Sequence, residues 1–252
     1  MKKKIALYFV LRFLVIAAMV LEFLKGDYYG VFLCVLTLIL FMIPTFLDKK
    51  MNIKLPSLLE IIILLFIFSA EILGEIQGFY LKFPYWDTIL HTLNGFIMAG
   101  IGLAMIDILN RTPSFHFNMS PIFVVLVSFC FSMTVGILWE FFEFGMDYFT
   151  LTDMQKDTVL TQISTVEPSL GEGQHVIKDI DKTVIHAKKD GEDYEVSVSG
   201  YLDIGLYDTM SDLFVNCIGA LTFSLFGIFY LKGRSKFALK FIPQIKSQEE
   251  NI

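Results

Sequence analysis

The sequence predicts an all-α polytopic membrane protein of about six transmembrane helices, with a small β-hairpin-containing extracytoplasmic insertion. Three observations carry this reading. The 252 residues are 55% hydrophobic, include 26 phenylalanines and are only 18% charged, and their mean hydropathy is +0.62. Soluble domains rarely combine so much apolar residue with so little charge. The apolar residues also fall in runs of roughly 20, the length that crosses a hydrocarbon core at about 1.5 Å per residue. Finally, the charges, net −6, are segregated into the stretches between those runs. With no basic patch interleaved with aromatics, nucleic acid is excluded as a partner and the lipid bilayer is expected instead.

Each element follows in order. The first run, Ile5–Leu24, has the basic start and apolar middle of a signal peptide. It lacks a small-x-small cleavage site and further spans follow, so it reads as an uncleaved helix. The second is Gly30–Leu47. The third, Leu58–Ile76, opens on Ser57 and Glu60, which fit a capping box. The fourth is Thr88–Leu109. The fifth, Pro121–Phe144, opens on Ser120 as N-cap with Pro121 in the first turn. The sixth is Asp208–Leu231. Cys34, Cys130 and Cys217 lie inside apolar runs without C-x-x-C spacing and read as small packing residues.

Lysine and arginine in the short loops set the orientation. Lys2, Lys3 and Lys4 precede the first helix, Lys49, Lys50 and Lys54 lie between the second and third, and Arg111 lies between the fourth and fifth. Lys232, Arg234, Lys236 and Lys240 follow the sixth. The opposite loops offer Lys25 and Lys82. Both termini are therefore expected in the cytoplasm, in a bacterial plasma membrane. The same count puts the polar stretch from Asp147 to Gly205 outside. There TVIHAK and DYEVSVSG flank Asp190-Gly191, the signature of a β-hairpin, and QISTVE and HVIKDI offer further strands. His175 and His186 in this stretch read as surface residues. The chain thus divides into helices 1–5 (residues 1–146), the insertion (147–205), and the sixth helix with a cytoplasmic tail (206–252).

Ionisable residues inside the helices point to the chemistry. Glu71 and Glu75 are four apart in the third helix. Asp87, His91 and Asn94 follow i, i+4, i+7 into the fourth. Glu140, Glu143 and Asp147 follow i, i+3, i+7 at the end of the fifth. Asp208, Asp212 and Asn216 follow i, i+4, i+8 into the sixth. Each set shares one helix face, and all four fall at the extracytoplasmic side. Asp87 and Asp208 sit where an N-cap belongs, and Glu75 and Asp147 suit a solvated interface. His91, Asp212, Asn216, Glu140 and Glu143 lie in apolar context. A charge there costs roughly 3 kcal/mol unless it finds a partner or water. A shared polar site explains them, and the bland alternative is a hydrogen-bonded network that fixes helix packing. Gly95, Ala99 and Gly102 form a small-residue stripe for close helix contact. A carboxylate-rich set with one histidine suits a divalent metal ion, or else protons held in its place. No Ser-His-Asp order, phosphate-binding glycine loop or H-E-x-x-H helix is present.

The segments WDTILHTLNGF, LWEFFEFGMDYF, DMQKDT and GLYDTMSDLFVNCIGA resemble the YjdF-like family of uncharacterised bacterial inner-membrane proteins. More distantly, D-x-x-x-H followed by Glu and then D-x-x-x-N-x-x-G is similar to VanZ-like membrane proteins. The resemblance covers roughly residues 86 to 220 and marks Asp87, His91, Glu140, Glu143, Asp208, Asp212 and Asn216. It implies no reaction, and the long insertion departs from the simpler pattern.

Three functions fit. The first is an extracytoplasmic-facing site that binds a cation, or protons, and acts on a lipid or cell-wall precursor. In it His91 or Glu143 is the general base, and Asp87, His91, Glu140, Glu143, Asp208, Asp212 and Asn216 are the candidate metal-site residues. The second is an ion-coupled transporter, which needs a path to the cytoplasm through inner helix halves that are apolar apart from residues such as Asp107. The third is a scaffold or sensor whose hairpin binds a partner.

Overall fold

The computed structural model describes residues 2–50, 53–111, 119–233 and 244–245. Arg234, Lys236 and Lys240, counted above for orientation, lie outside the described residues. Among the described residues, six helices are long and apolar enough to cross a membrane: Lys4–Lys25, Tyr28–Lys50, Ser57–Ile76, Trp86–Ile106, Pro121–Thr150 and Leu206–Leu231. The expected all-helical membrane architecture with its short antiparallel strands is the one observed.

The chain forms two compact units, residues 1–137 with 212–252, and Leu138–Ser211. In the first, helix α1 (Lys2–Lys25) is followed by α2 (Tyr28–Leu40) and α3 (Ile43–Lys50), which share one span. Pro44 explains the break, because it has no N–H to offer the carbonyl of Leu40 four residues back. Helix α4 (Ser57–Phe68) runs on as a π-helix through Ser69–Ile76. It ends at Gly78, whose φ of +68° suits a residue without a Cβ. The expected capping box at Ser57 is absent. Ser57 is already helical, Pro56 is the N-cap, and no side chain caps the helix. The Glu60 carboxylate is instead occupied by Lys4 Nζ at 2.5 Å.

Helices α5 (Phe79–Lys82) and α6 (Trp86–Arg111) follow, then α7 (Pro121–Thr150). Ser120 caps α7 as expected, its hydroxyl accepting from Phe123 N–H at 3.3 Å. Helix α8 (Leu206–Leu231) is the last. A short antiparallel bridge joins β1 (Ile53–Lys54) and β8 (Gln244–Ile245). One buried apolar cluster brings together α1, α2, α4 and α6 through Leu11, Val15, Cys34, Leu64 and Ile97. A second joins α6, α7 and α8 through Ala99, Leu103, Val124, Val125, Ala220 and Phe223.

In the second unit, β5 (Lys182–Lys189) and β6 (Glu192–Ser199) pair antiparallel over their whole length. Asp190 and Gly191 turn the hairpin with φ of +55° and +88°, the left-handed pair that an Asp-Gly turn supplies. QISTVE and HVIKDI supply β3 (Ile163–Thr165) and β4 (His175–Ile177), which pair with each other. Strands β2 (Thr158–Leu160) and β7 (Tyr201–Asp203) close the neck of this region. They are a feature that three-residue runs do not announce in a sequence.

Candidate functional site

The site is built on the parallel contact of α6 with α8. A Cβ added to Gly95 would overlap the carbonyl of Asn216, and one added to Gly219 would overlap the carbonyl of Thr92. The two backbones therefore touch in a way only glycine allows, as small residues permit between membrane helices. Helix α7 runs antiparallel beside them. Its Ser132 hydroxyl donates to Gly95 O at 2.8 Å and its Ser128 hydroxyl to Ala99 O. The stripe Gly95–Ala99–Gly102 is thus the surface on which α7 and α8 meet α6, with Gly102 under Phe131.

This contact puts the first two turns of α6 beside the second turn of α8. Asp87, His91 and Asp212 each offer one ligand atom, and these atoms lie within 4.8 Å of one another. His91 Nε2 stands 3.4 Å from Asp87 Oδ1 and 3.8 Å from Asp212 Oδ2. Direct N–H···O bonds are closer, at about 2.7–3.2 Å. Two atoms that each bind one ion at roughly 2.1 Å, at 90–110° to one another, stand about 3.0–3.5 Å apart. Both separations are also ion-pair distances, so the spacing fits a His–carboxylate pair as well as a shared ion. His91 is 8% exposed and Asp212 4%, while the Asp87 side chain keeps 27%. The site is therefore buried on the α8 side and open past Asp87. Asp87 lies in the first turn of α6, where the helix dipole favours negative charge.

One turn deeper, Asn216 is fully buried. Its amide oxygen accepts from Asn94 Nδ2 at 2.9 Å, and its own Nδ2 lies 3.6 Å from Met133 Sδ. Asn216 thus ties α6, α7 and α8 together beneath the three ligand atoms.

The remaining residues marked by sequence lie in the second unit. Glu140 and Glu143 are buried on α7, and Trp139 Nε1 donates to Glu143 Oε1 at 2.8 Å. Asp208 is in the first turn of α8, not at the N-cap, and its Oδ2 accepts from the backbone N–H of Lys156 at 2.7 Å. Asp147 accepts from Met154 N–H at 2.6 Å and Gln155 N–H at 2.8 Å. Three successive N–H groups of the DMQK turn are therefore held by two carboxylates, with Gln155 Nε2 donating to Thr209 Oγ1 at 2.5 Å.

Two buried acids escaped the sequence reading as site candidates. Glu22 on α1 is 5% exposed and paired with Lys25 at 2.8 Å. Glu71 on the π-helical turn is 3% exposed, and its Oε2 has no hydrogen-bond partner among the described residues. Glu71 forms an i, i+4 pair with Glu75 in sequence but is not among the candidate site residues, whereas Glu22 is a lone acid near a helix end with no spacing signal.

A family model described as "Predicted membrane protein (DUF2238)" matches residues 6–233. The chain belongs to this family. All of the site residues above fall within the DUF2238 match. An uncharacterised protein of Thermotoga maritima is 27% identical over 104 residues, which cover 41% of this DUF2238 chain and 52% of that protein. The match thus spans about half the length of that relative. No solved structure matches the chain.

Proposed function

We propose that Asp87, His91 and Asp212 hold a divalent cation at the extracytoplasmic end of the membrane helices. The centre acts there on an envelope substrate, a lipid or a cell-wall precursor. The supporting observation is the convergence of three ligand atoms, from two separate spans, within 4.8 Å. Two carboxylates and one imidazole suit zinc, manganese or magnesium, with open positions for water or substrate. A cation also removes the electrostatic difficulty of two acids facing each other in low dielectric. With His91 a ligand through Nε2, the cation itself lowers the pKa of a bound water.

In this reading the chain sits in a bacterial plasma membrane with both termini cytoplasmic and residues 147–205 outside. It stands with the YjdF-like proteins and, more distantly, the VanZ-like ones. Transport is less favoured, because Leu103, Val124, Val125 and Phe223 fill the helix interface beneath Asn216 with apolar side chains.

Elemental analysis of detergent-purified protein, after loosely bound ions are removed, tests the centre. Wild type is expected to carry one metal ion, with His91→Ala and Asp212→Asn folded but metal-free. Folded wild type without metal would overturn the cation reading and leave a polar network that only fixes helix packing.

A further inference from the structure

Beside the candidate centre, α6 presents a second stripe to a groove of about 250 Å³. Trp86, Ile89, Leu90 and Leu93 line one wall, and Ile62, Leu65, Phe66 and Ser69 line the other. Each set follows i, i+3, i+4, i+7, so each wall is a single helix face. Asp87 and His91 directly follow Trp86 and Leu90 in sequence. They therefore lie on the adjacent stripe, roughly 100° around the same two turns. The groove and the ligand atoms share one stretch of α6.

The chemistry of the groove is almost purely hydrocarbon. The backbone oxygen of Ser69, where the π-helical segment begins, accepts from Trp86 Nε1 at 3.3 Å and so is covered. Trp86 is itself held by the rings of Phe79 and Phe83, at 5.0 and 6.3 Å between centroids. Leu65 and Ile89 are exposed, and both belong to helices of spanning length and composition. In a membrane-spanning orientation the medium that meets them is lipid. A polar solute has nothing to bind there, and the space suits part of one extended chain.

We propose that this groove holds one acyl chain of an anionic phospholipid whose phosphate meets the cation at Asp87, His91 and Asp212. The proposal rests on the cation reading of that centre and narrows its substrate class to a lipid with a phosphate head group. Phosphate oxygens are hard donors of the kind that magnesium and manganese prefer. The groove supplies the apolar contact area, and the centre supplies the head-group selectivity.

The chain has two tryptophans, Trp86 and Trp139, and Trp86 lines the groove. In a Trp139→Phe background, bromine on an acyl chain near the head group quenches Trp86 by contact. The protein is reconstituted in vesicles with rising fractions of brominated phosphatidylglycerol or brominated phosphatidylcholine. The expected result is quenching by phosphatidylglycerol that saturates at low fraction, above the bulk lipid ratio, with phosphatidylcholine following the bulk ratio. Ser69→Leu and Leu93→Phe, which fill the groove from opposite walls, are expected to lose the excess quenching while keeping bound metal. Quenching that follows the bulk ratio for both lipids in metal-loaded protein overturns the proposal. Excess quenching that persists in metal-free His91→Ala overturns the link to the cation. If wild type binds no metal yet shows saturable quenching that both groove variants lose, the cation reading fails and a chain-binding groove stands alone.

Discussion

Asn216 shows how much one amide does in the interior of a membrane bundle. Its oxygen satisfies Asn94 and its nitrogen faces Met133, so three helices share one hydrogen-bonding residue. Asn216→Ala leaves the Asn94 amide without that acceptor and is expected to cost about 1–3 kcal/mol. Asn94→Ala together with Asn216→Ala should cost less than the sum of the two, which thermal melts of the detergent-solubilised variants would show. Asp157 makes a different point at the same scale. Partial desolvation first, then the charges of Asp153, Asp147 and Asp203, raise its carboxyl above the ordinary range, with Lys156 pulling the other way. The folded state therefore holds that proton more tightly than the unfolded chain does. The penalty is absent at acid pH, grows as pH rises from the ordinary carboxylate value toward the raised one, and is complete above it. Asp157→Asn should slow proteolysis of the 153–181 segment near neutral pH and leave it unchanged at acid pH. Among the candidate site residues, His91 and Asp212 were legible because a charge in apolar sequence demands a partner. Asp147 and Asp208 were visible as acids, but no spacing rule says that a carboxylate will be used on the backbone of a loop.

At the scale of the element, the contact of α6 with α8 decides the geometry of the centre. Gly95→Ala or Gly219→Ala inserts a methyl group where a carbonyl already lies. Overpacking of this kind costs about 1–3 kcal/mol. Because the same contact sets the distance from His91 to Asp212, each variant should also bind metal more weakly than wild type. Titration with a competing chelator would measure this, and an unchanged affinity would show that the helices can separate without moving the ligand atoms. The spans themselves were readable from hydropathy alone. What hydropathy does not contain is the register of hydrogen bonds inside a span. The π-helical turn from Ser69 to Ile76 looks like any apolar helix in sequence. Its wider backbone register shows only in the folded helix. The Ser57 capping box failed for a related reason. The pattern was present, but its Glu60 carboxylate went to Lys4, fifty-six positions away in the chain.

For the whole molecule, the proposed orientation yields a direct test. In a cysteine-free background, Asp190→Cys at the hairpin tip should react with a membrane-impermeant maleimide in intact cells. Lys50→Cys should react only after the membrane is opened, and the reverse pattern would invert the topology. The six-span architecture and the hairpin were legible because both have strong periodic signals, whereas the grouping of Asp87, His91 and Asp212 needed three dimensions. Their separation along the chain has a further consequence, in biosynthesis. Asp87 and His91 enter the membrane with α6, and Asp212 arrives only after α7 and the entire strand-bearing region have been made. Through that interval the nascent α6 carries an aspartate and a histidine in lipid without the carboxylate that later faces them. A chain halted before α8 therefore leaves the Asp87–His91 pair without the helix that later packs beside it, a mark by which a membrane protease can tell unfinished copies from complete ones.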